Sequence, residues 1–164
     1  MKTTNYPMIL QCKIGINKHS IYSDPINAFR TIKPKSKYIL YVVKEANTFF
    51  YVGITTQKIQ TRLSGSYRAY KNRYNKQQYN GYSGYKWIEG CLNNKKHLDL
   101  YLFELPSESN SADIKKFSEA IEAELVYCIR AETNQWPKYQ HEIHFHNIET
   151  AKKIASEIFK KLIK

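Results

Sequence analysis

The stretch YILYVVKEANTFFYVGITTQKIQTR, residues 38–62, decides how the rest of the chain is read. It opens with YILYVV (38–43), a run of β-branched and aromatic residues of the kind that packs on a half-buried pleated surface. The polar break KEANT (44–48) separates it from a second such run, FFYVGI (49–54). Two strand-like runs joined by a short polar break predict one β-hairpin. Threonines 55 and 56 then suit a helix N-cap, and Ile59 and Leu63 stand four apart, as on one helix face. A helix is therefore expected from about Gln57, with Gly65 as its candidate interruption.

Outward from this hairpin the elements alternate. Toward the C-terminus, residues 85–93 form a short amphipathic helix with Trp87, Ile88, Cys91 and Leu92 inward, and LDLYLFEL (98–105) has the length and composition of a third strand. PSESNSAD (106–113) reads as a loop, after which Ser118 caps a helix over SEAIEAELVYCIRAE (118–132), with Pro137 beyond its end. NIETAKKIASEIFKKLIK (147–164) places Ile148, Ala151, Ala155, Ile158, Phe159 and Leu162 at helical spacing, an apolar face for docking on the core or, second, for a dimer. Toward the N-terminus, Pro7, Pro25 and Pro34 interrupt a segment without sustained periodicity, so residues 1–36 are expected to be an arm with one short strand at 8–14. The fold class is α/β of the α+β kind: a small mixed central sheet begun by a β-hairpin and flanked by helices. The divisions are an arm at 1–36, a core at 37–140 with a Tyr/Arg-rich insertion at 67–86, and a C-terminal strand and amphipathic helix at 141–164.

At 164 residues the chain has room for one ordinary domain with its own core. No stretch approaches the 18 or so apolar residues of a spanning helix, and the N-terminal residues lack the apolar run and cleavage site of a secretory leader. A cytoplasmic protein without a membrane partner is expected. Cys12, Cys91 and Cys128 are an odd, widely spaced set in apolar surroundings, which fits reduced thiols used as filler.

The charge is regional. Residues 1–88 carry 15 basic and 2 acidic side chains, whereas residues 89–164 carry 11 and 12. Between Ala46 and Ile88 no Asp or Glu occurs, while Lys58, Arg62, Arg68, Lys71, Arg73, Lys76 and Lys86 do. Such a region attracts a polyanion, nucleic acid first; a solubilising surface usually mixes both signs. Tyrosines 67, 70, 74, 79, 82 and 85 are interleaved with these cations. Residues 67–86 are therefore the candidate DNA contact, with Lys58, Arg68, Lys71, Arg73, Lys76 and Lys86 meeting phosphates. A merely solvated loop and stacking on single-stranded bases are the alternatives.

At about 100° per residue, Glu122 falls inside the apolar arc of Ile121, Leu125, Val126, Cys128 and Ile129, and Glu124 falls outside it. A carboxylate on the core side must be paired, protonated or bound to a cation. A buried salt bridge and a metal ligand fit this observation equally.

Taken together, Ile39-Leu40-Tyr41, Tyr51-Val52-Gly53, Arg62, Glu122 with Leu125 and Val126 after it, and Asn134 twelve residues on resemble the GIY-YIG nuclease family, most closely its compact restriction-endonuclease members. Ile39 stands where the first glycine belongs, and Arg62 lies nine residues past Gly53 where many members have eight. The resemblance spans residues 38–134. It implies that Tyr41 accepts or relays the proton of an attacking water, that Tyr51 is positioned beside it, and that Arg62 holds the scissile phosphate. It further implies that Glu122 binds one divalent ion, Mg²⁺ or Mn²⁺, and that Asn134 orders the site or contacts the phosphate. The expected function is metal-dependent, site-specific cleavage of duplex DNA, with specificity from the core's own loops, the arm or a homodimer. A non-catalytic nucleic-acid-binding module and a structure-specific repair nuclease are the alternatives. HEIHFH (141–146) lacks the spacing of a zincin motif and reads as a surface strand, with phosphate contact second.

Overall fold

A computed structural model of the chain describes residues 7–17, 20–74, 86–94, 97–106 and 111–164. Its strands are β1 (Met8–Ile16), β2 (Ile21–Asp24), β3 (Ile39–Glu45), β4 (Thr48–Thr55) and β5 (Leu98–Glu104); its helices are α1 (Ile59–Tyr74), α2 (Lys86–Asn94), α3 (Ser111–Thr133) and α4 (Glu149–Leu162). The strands form one sheet in the order β2-β1-β5-β3-β4. The α+β class holds, but the sheet is antiparallel at every pairing rather than mixed. After β4 the chain crosses one face through α1 and α2 and enters β5 against the direction of β3, so no parallel pair arises.

Alternation along the strands divides the core between the two faces. Ile39, Tyr41 and Val43 of β3 and Leu98, Leu100 and Leu102 of β5 meet Ile59 and Leu63 of α1 and Trp87 and Ile88 of α2. Leu40, Val42, Tyr101 and Phe103 turn the other way, onto Phe117, Ile121 and Leu125 of α3 and Ile154, Ile158 and Phe159 of α4. Helix α4 thus docks, as its apolar face predicted. Lys44 anchors the far end: its Nζ donates to the Leu162 carbonyl at 2.6 Å and sits 4.9 Å from the centroid of the Phe49 ring. That places a cation at a helix C-terminus, where the backbone dipole favours it.

Several boundaries differ from expectation. The arm is part of the sheet: β1 and β2 form a hairpin, and β1 pairs with β5 because Cys12 and Ile14 alternate inward on the same face as Leu98 and Leu100. Helix α1 runs through Gly65 without a break, and a Cβ there would touch nothing. Helix α3 begins at Ser111, so Ser118 is a buried interior residue and not a cap. The apolar stripe extends back to Phe117, which packs on the sheet and pulls the preceding turns into the helix. Residues 140–148 are irregular, not a strand. The preceding residues explain this, because they already cover the free edge of β4. The backbone N–H groups of Lys138 and Tyr139 donate to the Phe49 and Phe50 carbonyls at 2.9 and 2.8 Å, and the Gln140 amide bonds both the N–H and the carbonyl of Val52. A capped edge has no pairing to offer a further strand.

Candidate functional site

The β3–β4 hairpin sets the two tyrosines. Gly53 is the register partner of Tyr41, and both belong to the sheet face that carries Tyr51. The Tyr41 ring leans across the glycine, such that a Cβ on Gly53 would lie 2.6 Å from the Tyr41 Cζ and Oη and 2.7 Å from the Tyr51 Cε1. Only a residue without a side chain lets the two rings approach to a centroid separation of 5.8 Å. The register shifts between Val43 and Lys44, bringing Lys44 opposite Phe49 and leaving Phe50 unopposed. That bulge puts Phe50 on the same face as Tyr51, where it packs edge-on against Tyr139.

Helix α1 brings the cation. The Thr55 hydroxyl accepts from the Gln57 N–H at 3.0 Å, so the predicted capping threonine shapes the turn before the helix. The Ile59 N–H is then taken by the Ile32 carbonyl at 3.1 Å, which ties the start of α1 to the N-terminal segment. Three residues on, Arg62 donates its Nε–H to the Tyr41 hydroxyl oxygen at 3.1 Å. Tyr41 is fully covered and Tyr51 is 8% exposed, while Arg62 retains part of its surface. A guanidinium on the phenol oxygen offsets negative charge that develops there.

Helix α3 brings the carboxylate. Burial pushes Glu122 from its ordinary 4.5 up to about 8, with Glu119 one turn earlier adding to the rise and Arg62 opposing it. Glu122 and Arg62 are therefore within electrostatic reach of each other although they belong to helices on opposite faces of the sheet. The carboxylate would be restored to its charged form by a divalent cation, which is the property a metal ligand needs. Among the described residues no group of three His, Cys, Asp or Glu could hold a metal. An ion here would complete its shell with water and phosphate oxygens, as Mg²⁺ does and as Mn²⁺ can.

The structure brings together Tyr41, Tyr51 and Arg62, sets Glu122 within electrostatic reach of Arg62, and separates Asn134 from them. Asn134 follows the end of α3 with a left-handed backbone (φ 57°), exposed, and its Oδ1 accepts from Arg130 at 2.6 Å. Helix rise puts it on the order of 18 Å along the axis from Glu122. Glu124, expected on the solvent side, is buried, because α4 and residues 140–148 cover the side of α3 that faces away from the sheet.

The basic surface is partly as expected. Lys58, just before α1, and Arg68, Lys71 and Arg73 along it are exposed, and Lys86 at the start of α2 is half-buried. Lys76 and the rest of residues 75–85 lie outside the described residues. Tyr67 is not a DNA-facing ring: it is buried in the core and its hydroxyl donates to the Asn17 carbonyl at 3.2 Å. Tyr70 is half-buried against the same cluster. Four further exposed cations, Arg30, Lys33, Lys35 and Lys37, lie on the segment that holds the start of α1, and Arg30 shares a cavity lining with Gln60. Their signal was present in the sequence as four cations within eight residues, but the prolines around them concealed that this segment packs on α1.

The histidine cluster is dispersed. His146 Nε2 lies 3.1 Å from Glu119 Oε2, and His144 Nε2 lies 4.0 Å from Glu142 Oε1. Cys12 and Cys128 fit the filler reading: burial pushes the Cys12 thiol to about 11 and Cys128 upward, and both are free. Among the described residues no helix is long and apolar enough to cross a membrane. Compared with known proteins, the chain matches no family model, no curated protein and no solved structure.

Proposed function

We propose that the chain is a divalent-metal-dependent DNA endonuclease of the GIY-YIG type, cutting duplex DNA at specific sites. The observation that carries this reading is the Arg62 Nε–H bonded to the Tyr41 oxygen, beside Tyr51 and within reach of the Glu122 carboxylate. Phosphodiester hydrolysis forms a bond from a water oxygen to phosphorus while the bond to the departing sugar oxygen breaks. The water must lose a proton, the phosphate must be held, and the departing oxygen must be supported. The planar Arg62 guanidinium, anchored through its Nε–H on Tyr41, would hold the phosphate. Tyr51 lies at the exposed end of the tyrosine pair and meets the water; Tyr41, enclosed and bonded to Arg62, relays the proton and couples the pair to the phosphate clamp. Glu122 would hold the ion, which when bound serves the departing oxygen. Lys58 and the α1 cations Arg68, Lys71 and Arg73 supply the sequence-independent attraction to the backbone. Asn134 has no step in this scheme; its place is at the end of α3, on Arg130.

The full enclosure of Tyr41 favours a second reading, in which the same basic face binds nucleic acid without cutting it. Both are tested by incubating the protein, Arg62→Ala and Glu122→Gln with supercoiled plasmid and genomic DNA, with and without Mg²⁺. Discrete Mg²⁺-dependent fragments, reduced at least about 100-fold in rate in both variants, support the nuclease. A smear, or cutting confined to flaps and junctions, moves the substrate to damaged or branched DNA. Intact DNA that shifts in a salt-sensitive gel assay overturns catalysis and supports the binding module.

A further inference from the structure

Glu124 is 8% exposed, and its carboxylate lines a cavity of ≈ 340 Å³ together with Tyr127 of α3, Phe145 and Asn147 of the irregular segment, and Lys152 of α4. Among the described residues it makes no hydrogen bond and no ion pair. The one cation on the lining is occupied elsewhere: Lys152 Nζ donates to Asn147 Oδ1 at 3.3 Å and lies 3.5 Å from Glu149 Oε2. The Glu124 oxygens are not sealed from this cavity, so an opposite charge that enters it meets them without having to displace a protein partner. The rings that flank it, Tyr127 at 54% and Phe145 at 53% exposure, are the most open large aromatics of α3 and of the segment. Aromatic faces around one carboxylate attract a cation through both charge and ring quadrupole. A neutral ligand would leave the carboxylate unpaired, and a metal ion would need more oxygen or nitrogen donors than one carboxylate and one amide supply.

We propose that this cavity binds a small organic cation, an alkylammonium or alkylguanidinium, with its head on Glu124 and its stem against Tyr127 and Phe145. The site lies on the side of α3 away from Glu122 and does not depend on the nuclease reading. The test is an NMR titration of the full chain with butylammonium, butylguanidinium and, as the neutral counterpart, 1-pentanol. Expected are saturable shifts at residues 124, 127 and 145 with a dissociation constant of about 1 mM or tighter for at least one cation, and none with the alcohol. Glu124→Gln weakens binding at least about tenfold with the melting temperature retained, and Phe145→Ala weakens it about threefold. Absence of saturable shifts with both cations overturns the proposal, as does equal binding of the alcohol or undiminished binding by Glu124→Gln. Should Glu124→Gln fail to fold, Phe145→Ala, at an exposed position, decides: unchanged affinity there overturns it.

Discussion

At the residue scale the site rests on a missing side chain and on a carboxylate out of its usual range. Adding one methyl at Gly53 would drive a Cβ into both tyrosine rings, with their flanking strands unable to part. Gly53→Ala is expected to cost about 1–3 kcal/mol in chemical denaturation, and to displace the Tyr41 and Tyr51 ring resonances more than those of α4. Glu122 sets a pH dependence whose sign follows from its raised affinity for protons. Between about 4.5 and 8 the native state keeps a proton that the unfolded chain has released, so its contribution is full below that window and is lost as pH rises through it. Without divalent metal, stability should fall with pH there by at most about 1.4 kcal/mol per unit, less for a partly exposed group. Denaturant titrations in chelator at stepped pH should show this slope flattened in Glu122→Gln, and an unchanged slope would show that Glu122 does not hold that proton.

At the element scale the β3–β4 hairpin carries a local conflict. Ala46 follows Glu45, which pairs with Thr48, and holds a left-handed backbone at φ 48° in the two-residue turn. A side chain makes that region unfavourable, and glycine relieves it, offset in part by the greater entropy it gives the unfolded chain. Ala46→Gly should therefore stabilise the protein by up to about 1 kcal/mol, read as a shift in the denaturation midpoint with unchanged slope. Helix α3 shows why a helical wheel was insufficient. Its arc for the sheet is the one that the apolar residues mark, but α4 and residues 140–148 close over another side, so Glu124 is buried where patterning placed solvent. The segment 141–146 alternates like a strand, yet residues 138–140 already occupy the β4 edge.

At the scale of the whole molecule the charge asymmetry has a direction. The exposed cations of α1 and of residues 30–37 belong to the half of the chain that is almost free of carboxylates, and the acidic residues gather in α3, α4 and their connection. If α1 lies along a polyanion, replacing Arg68, Lys71 and Arg73 together by Gln should reduce the slope of log affinity against log salt by roughly 2–3, with little effect on melting. A gel-shift series across salt concentrations measures it, and an unaltered slope would place the nucleic-acid contact elsewhere.

What the sequence determined by itself is local. Two strand-like runs with a polar break specify the hairpin, and apolar spacing specifies α1, α2, α4 and most of α3, because these signals depend on neighbours within a few residues. The spacing of Tyr41, Tyr51, Gly53 and Arg62 was also legible, since one hairpin and one helix turn connect them. Only the tertiary structure decided what depends on distant partners. The arm became two strands because β5 had an edge to cover. Tyr67 turned inward because the core reached it, and Glu122 came within reach of Arg62 because α3 packs on β4 while α1 starts just past the end of that strand. Burial is a property of what arrives from elsewhere in the chain, and no window of adjacent residues contains it.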